Sequence, residues 1–130
     1  MVTYGITREL PEVGYEEAVP RVIEALKTEG FGAITEIDVK AIMKKRLDVD
    51  FERYLIIGAC NPGLAHEAIS AEPLIGLLLP CNVVVKDRPG GGSIVSALDP
   101  REVFKLVGRD DVRPLADEVA ARLERVIERL

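Results

Sequence analysis

The chain has 130 residues, 48% of them hydrophobic and 30% charged, with a formal net charge of −5 at pH 7. The length is that of one domain, and the hydrophobic fraction excludes a disordered polymer. The acidic balance repels polyanions, which argues against nucleic acid as a partner.

From Val2 to Thr7, Val2, Tyr4 and Ile6 alternate with Thr3, Gly5 and Thr7, the period of a half-buried first strand. Pro11 and Gly14 break the chain before a helix over Tyr15–Lys27, with Tyr15, Val19, Val22 or Ile23, and Leu26 along one face. Glu16 and Glu17 in its first turn and Lys27 in its last favour the helix dipole. Pro20 argues for a start nearer Glu17, since proline costs least in the first turn. Gly30 ends this helix. Phe31–Val39 reads as a second strand with imperfect alternation. Of two acidic candidates, Glu36 and Asp38, Asp38 is the better placed to cap the short helix VKAIMKKRL. Val39, Ile42, Met43 and Leu47 form the apolar side of that helix.

Phe51, Tyr54 and Ile56 belong to a third strand that ends at Gly58. Asn61-Pro62 then starts a helix: Asn caps the free amides, and Pro takes the first helical position, where a missing donor costs nothing. Leu64, Ala65, Ala68 and Ile69 make its buried side, and Pro73 stops it. The chain returns through LLLPCNVVV, read as strand-like, with Pro80 at an edge or bulge because it cannot donate to a ladder. PGGG at Pro89–Gly92 separates VVVKD from Ser93–Leu98 and marks an antiparallel hairpin. Asp99-Pro100 opens the short helical run REVFKLV, closed by Gly108. The last helix carries Val112, Leu115 or Ala116, Val119, Leu123, Val126 or Ile127, and Leu130 as one stripe.

These elements make one α+β domain over residues 1–130, an antiparallel sheet of four to six strands with helices packed on one face. Apolar residues line both sides of the VVV and SIVSAL strands, so the second face needs a cover. Either the short helices or a second copy of the chain supplies it, and a homodimer is the favoured expectation. Glutamine is absent and asparagine occurs twice, a composition expected of a thermophilic source. Two cysteines make no disulfide framework, and Met1 leads straight into VTYGITR without the regions of a signal peptide. No apolar run approaches the ~20 residues of a membrane span. A cytoplasmic protein with free thiols is expected.

Three runs are distinctive: TEIDVK at Thr35–Lys40, GACNP at Gly58–Pro62 followed by Ala65-His66, and LLPCNVVV at Leu78–Val85. With the Asp99-Pro100 pair, they give nearly the whole chain a resemblance to the domain of unknown function 302 family. The resemblance implies an α+β fold, similar in outline to the TATA-binding-protein-like folds, and dimeric members. It implies no biochemical activity, and the acidic charge argues against DNA binding.

Cys60 directly precedes the helix start at Asn61-Pro62, where a helix's positive end lowers a thiol's pKa. His66, about one turn into that helix, is the candidate partner for a nucleophilic or redox thiol. Cys81 and Asn82 follow Pro80 in the returning strand, and Cys60, His66 and Cys81 together would suit zinc or a softer metal. Their spacing matches no recognised metal motif, and haem is no better supported. Glu36 and Asp38, two apart on a strand, share a side and would act as paired carboxylates in a cleft, with Lys40 as an anion-binding neighbour. Helix capping and a solvated helix face are the favoured readings of those three. PGGG lacks the Lys-Ser/Thr of a phosphate loop, and no cofactor motif is present. The favoured expectation is a homodimeric domain that binds a small molecule or a protein partner at Asn61, Cys81, Asn82, Glu36, Asp38 or Lys40. The alternatives are a cysteine-dependent enzyme or redox sensor using Cys60 and His66, then metal or haem binding.

Overall fold

The computed structural model describes residues 2–130. Its strands are β1 (Gly5–Leu10), β2 (Gly32–Asp38), β3 (Tyr54–Cys60), β4 (Cys81–Asp87) and β5 (Ser93–Leu98). The helices are α1 (Tyr15–Thr28), α2 (Val39–Leu47), α3 (Pro62–Ala71), α4 (Pro100–Val103) and α5 (Arg113–Glu128). Short 3₁₀ turns occupy Ile75–Leu78, Phe104–Val107 and Asp110–Val112. The strands form one antiparallel sheet in the order β1-β5-β4-β3-β2, so the fold is α+β as the pattern implied.

Strand alternation decides which side chains meet the helices. Leu55 and Ile57 of β3, Val83 and Val85 of β4, and Val95 and Ala97 of β5 are buried in one cluster. Against them pack Val22, Ala25 and Leu26 of α1 and Val119, Leu123 and Val126 of α5. Each fully buried aliphatic side chain contributes ~1.5–3 kcal/mol, so this face supplies most of the hydrophobic stabilisation. The alternate residues Ile56, Val84, Ile94 and Leu98 are only half-buried, and Ile37 beside them is exposed. Neither long helix covers this second face.

Several boundaries differ from the sequence expectation. β1 runs from Gly5 to Leu10 instead of Val2 to Thr7, because its pairing with β5 joins Gly5 to Leu98 and Leu10 to Ser93. α1 starts at Tyr15 in spite of Pro20: burial of Ala18, Val22, Ala25 and Leu26 outweighs the ~3 kcal/mol a proline costs in a helix interior. The imperfect alternation of β2 is a register shift between Ala33 and Thr35, which leaves Ile34 without a partner across the ladder. β3 does not stop at Gly58 but continues to Cys60 and leaves Phe51 outside. Gly58 is a close approach: a Cβ there would meet the Thr35 side chain and the Pro80 ring. The run LLLP is not strand. Ile75–Leu78 winds into a 3₁₀ turn and the ladder begins only at Cys81, just past the donorless Pro80. α2 is capped by Asp38, whose Oδ1 accepts from the Ala41 amide at 3.0 Å, but it buries none of its residues fully. Its Ile42 and Leu47 are exposed.

The last helix is anchored to the sheet through β1. Arg8 Nη1 donates to the carbonyls of Ile127 and Glu128 at 3.1 and 2.9 Å, satisfying acceptors that a helix C-terminus leaves open. Among the described residues no helix is long and apolar enough to cross a membrane.

Candidate functional site

β3 ends at Cys60 and α3 begins two residues later, so the junction is held by Asn61. Its side chain Oδ1 accepts from the Leu64 amide at 3.1 Å, and its carbonyl accepts from the Ala65 amide at 2.9 Å. Pro62 fills the first helical position. These contacts fix α3 against the end of the sheet, with Leu64, Ala65 and Ala68 turned towards Leu115 and Val119 of α5 and towards Phe104. The facing side chains do not close the gap. A cavity of about 240 Å³ remains, floored by Phe31, Ala59 and Cys81 and walled by Leu79 and Pro80. Ile34 and Ile69 also line it while being 60% and 45% exposed, so the cavity opens to solvent on their side.

No charged side chain lines this cavity; its polar groups are the Cys60 and Cys81 thiols and Asn61. Cys60 is half-buried and Cys81 is 6% exposed. Burial first, and the neighbouring Cys60 second, push the Cys81 thiol up to about 11. Cys81 is therefore a neutral thiol at physiological pH.

The other residues singled out from the sequence lie elsewhere. His66 is exposed, does not line the cavity, and makes no hydrogen bond to either thiol. The helix turns ~100° per residue, so a face built on Leu64, Ala65 and Ala68 carries His66 away from it. The Cys60–His66 pair that the enzyme alternative needs is not assembled, and neither is the Cys60–His66–Cys81 cluster of the metal alternative. Among the described residues no three His, Cys, Asp or Glu side chains gather as a metal ion requires. Asn82 is exposed on the second sheet face, because strand alternation places it opposite Cys81. Glu36 and Asp38 do share the helix-side face of β2, paired to Ile57 and Leu55. Asp38 sits at the far end of the sheet, since its partner Leu55 precedes Cys60 by five strand residues, on the order of 17 Å, and Glu36 is exposed opposite Ile57 in mid-strand. Asp38 is occupied in capping α2, and Lys40 Nζ donates to the Phe51 carbonyl at 2.7 Å.

A family model described as a domain of unknown function, DUF302, matches residues 6–130. The chain belongs to the DUF302 family. A crystal structure of an uncharacterized conserved DUF302 protein from Bacillus stearothermophilus is similar at a TM-score of 0.90 and 25% identity, with 98% of each chain covered. No significant match was found among curated proteins.

In this DUF302 domain the far end of the sheet has its own polar group, and its bonds are structural. Arg53 Nε donates to both Asp87 carboxylate oxygens at 3.1 and 3.2 Å, and the Arg53 amide donates to Oδ2 at 3.0 Å. Hydrogen bonding to Arg53 holds the Asp87 carboxyl below its usual range. The Arg53 guanidinium also lies over the Tyr15 ring, 5.3 Å from its centroid, so the loop before β3, the start of α1 and the end of β4 are tied together. Of the residues singled out from the sequence, Cys60, Asn61 and Cys81 line the DUF302 cavity, and Phe31, Leu79, Phe104, Leu115 and Val119, which also line it, were not among them. These five come from separate segments and carry no common motif. The available signal was an apolar run, LLLP, longer than the turn it occupies.

Proposed function

We propose that this DUF302 domain is a non-catalytic binding module that takes a small apolar molecule into the cavity between α3, α5 and the ends of β3 and β4. The observation that supports this reading is the absence of any charged side chain from a solvent-connected cavity of about 240 Å³. An apolar cavity of roughly 150 Å³ stays dry and accepts benzene, so a larger one suits a bicyclic aromatic or a short alkyl chain. Asn61 and the thiols at one end offer such a ligand a single polar contact. The domain works in a compartment where both thiols stay reduced. It pairs with a second copy through the open sheet face, whose central row of Thr7, Ser96, Val84, Ile56 and Ile37 is uncharged.

The test is calorimetric titration with 1-naphthol and 1-octanol. Saturable binding, one ligand per chain, is expected for at least one of the two, and Ala65→Phe, which fills the cavity from α3, removes it. Failure of both probes to saturate the unmodified protein would overturn the reading.

A further inference from the structure

The ladder sets Ala59 directly opposite Cys81, so Cys60 is one residue beyond Cys81 on the adjacent strand. Strand spacing and rise separate their Cα atoms by on the order of 6 Å. An unbroken pleat would turn the two thiols to opposite faces. Here Cys60 is the last ladder residue of β3, paired with Gly32, and the cavity wraps the end of the sheet beside it, so that both cysteines line one space. Cys81 is 6% exposed and, among the described residues, its thiol has no hydrogen-bond partner. A buried, unpartnered thiol and a second, half-buried one therefore share a charge-free cavity.

We propose that Cys60 and Cys81 act together as a dithiol trap for a soft, thiophilic centre bearing an apolar group, such as a trivalent organoarsenical. The assignment rests on the cavity being a binding site and names the chemistry it selects. No lining side chain can balance a buried charge, so the bound species has to be neutral overall. Oxyanions and hard cations fail that condition. An arsenical with one organic substituent meets it once two thiolates replace its two hydroxyls, and its apolar substituent then fills the remaining space. In the capture two As–S bonds form and two As–O bonds break. Each thiol proton leaves with a hydroxide as water, and arsenic stays trivalent, so no oxidant or reductant takes part. Cys60, the more accessible thiol, bonds first. The tethered arsenic then meets Cys81 at high effective concentration, and the Cys81 proton departs with the second hydroxide.

The probe is phenylarsine oxide, read by native mass spectrometry on the full chain, with 1-naphthol titrated in parallel. One adduct per chain is expected, with both thiols lost to alkylation after unfolding. The adduct resists 2-mercaptoethanol and is stripped by 2,3-dimercaptopropanol. Cys60→Ser and Cys81→Ala, each confirmed folded by circular dichroism, release the arsenical to 2-mercaptoethanol about 100-fold more readily. Naphthol binding without a monothiol-resistant adduct overturns the trap and leaves the apolar binding site standing. An adduct equally resistant in either single variant also overturns it. Absence of both naphthol binding and adduct removes the two readings together.

Discussion

Oδ1 of Asp99 accepts from the Arg101 amide at 3.0 Å and from Arg101 Nε at 2.9 Å, while Oδ2 accepts from Nη2 at 2.9 Å. The same Nη2 reaches Glu124 of α5 at 2.8 Å, so one carboxylate caps α4 and joins it to the last helix. Burial alone would raise the Asp99 pKa, but the hydrogen bonds and charge of Arg101 outweigh it and hold the carboxyl below its usual range. A depressed folded pKa stabilises the fold above the unfolded value near 4, and that contribution is lost as pH falls through the folded value. Asp99→Asn keeps the cap and loses the ion pair. It is expected to cost about 1 kcal/mol at pH 7, a modest value because Arg101 is largely solvated. Urea unfolding of parent and variant should show the gap shrinking as pH drops below about 4. A gap independent of pH would assign the cost to packing.

At the level of the elements, the β4–β5 hairpin shows how unequal three adjacent glycines are. Gly90, Gly91 and Gly92 all have positive φ, at 87°, 114° and 82°. A Cβ on Gly90 or Gly91 would meet open space, whereas one on Gly92 would run into the carbonyls of Leu10 and Pro11. Gly91→Ala is therefore expected to cost about 1 kcal/mol in chemical denaturation and Gly92→Ala about 3 kcal/mol. Equal costs would count against the close approach. The PGGG run announced a turn but could not distinguish its glycines, since the approaching backbone belongs to the end of β1. The same division runs through the rest of the chain. Asp38 and Asn61-Pro62 were legible because a cap and its amides lie three residues apart, and Ser93–Leu98 because alternation is local. The bulge at Ile34 and the 3₁₀ turn at Ile75–Leu78 depend on the strands beside them. The cavity was least legible, because Phe31, Phe104 and Val119 meet only after the sheet, α3 and α5 have packed.

At the scale of the whole molecule, the open sheet face is the seam of the proposed dimer. Val84 and Ile56 are half-buried neighbours on its central strands, paired across the ladder. If a second copy covers them, sedimentation velocity will report twice the chain mass, and Val84→Lys, which adds an unpaired charge to the seam, will shift it to the single-chain mass. A parent protein that sediments as one chain over the same concentration range would refute the dimer. The sheet order also sets a timetable for synthesis. β3, β4 and β5 are neighbours in sequence as well as in space, but β1 bonds only to β5, with Gly5 paired to Leu98. A ribosome adds ~5–20 residues per second, so on the order of ten seconds pass between the emergence of Leu10 and that of its partner Ser93. Through that interval the first strand has both edges free, and the buried seat of Leu10 has not yet been made.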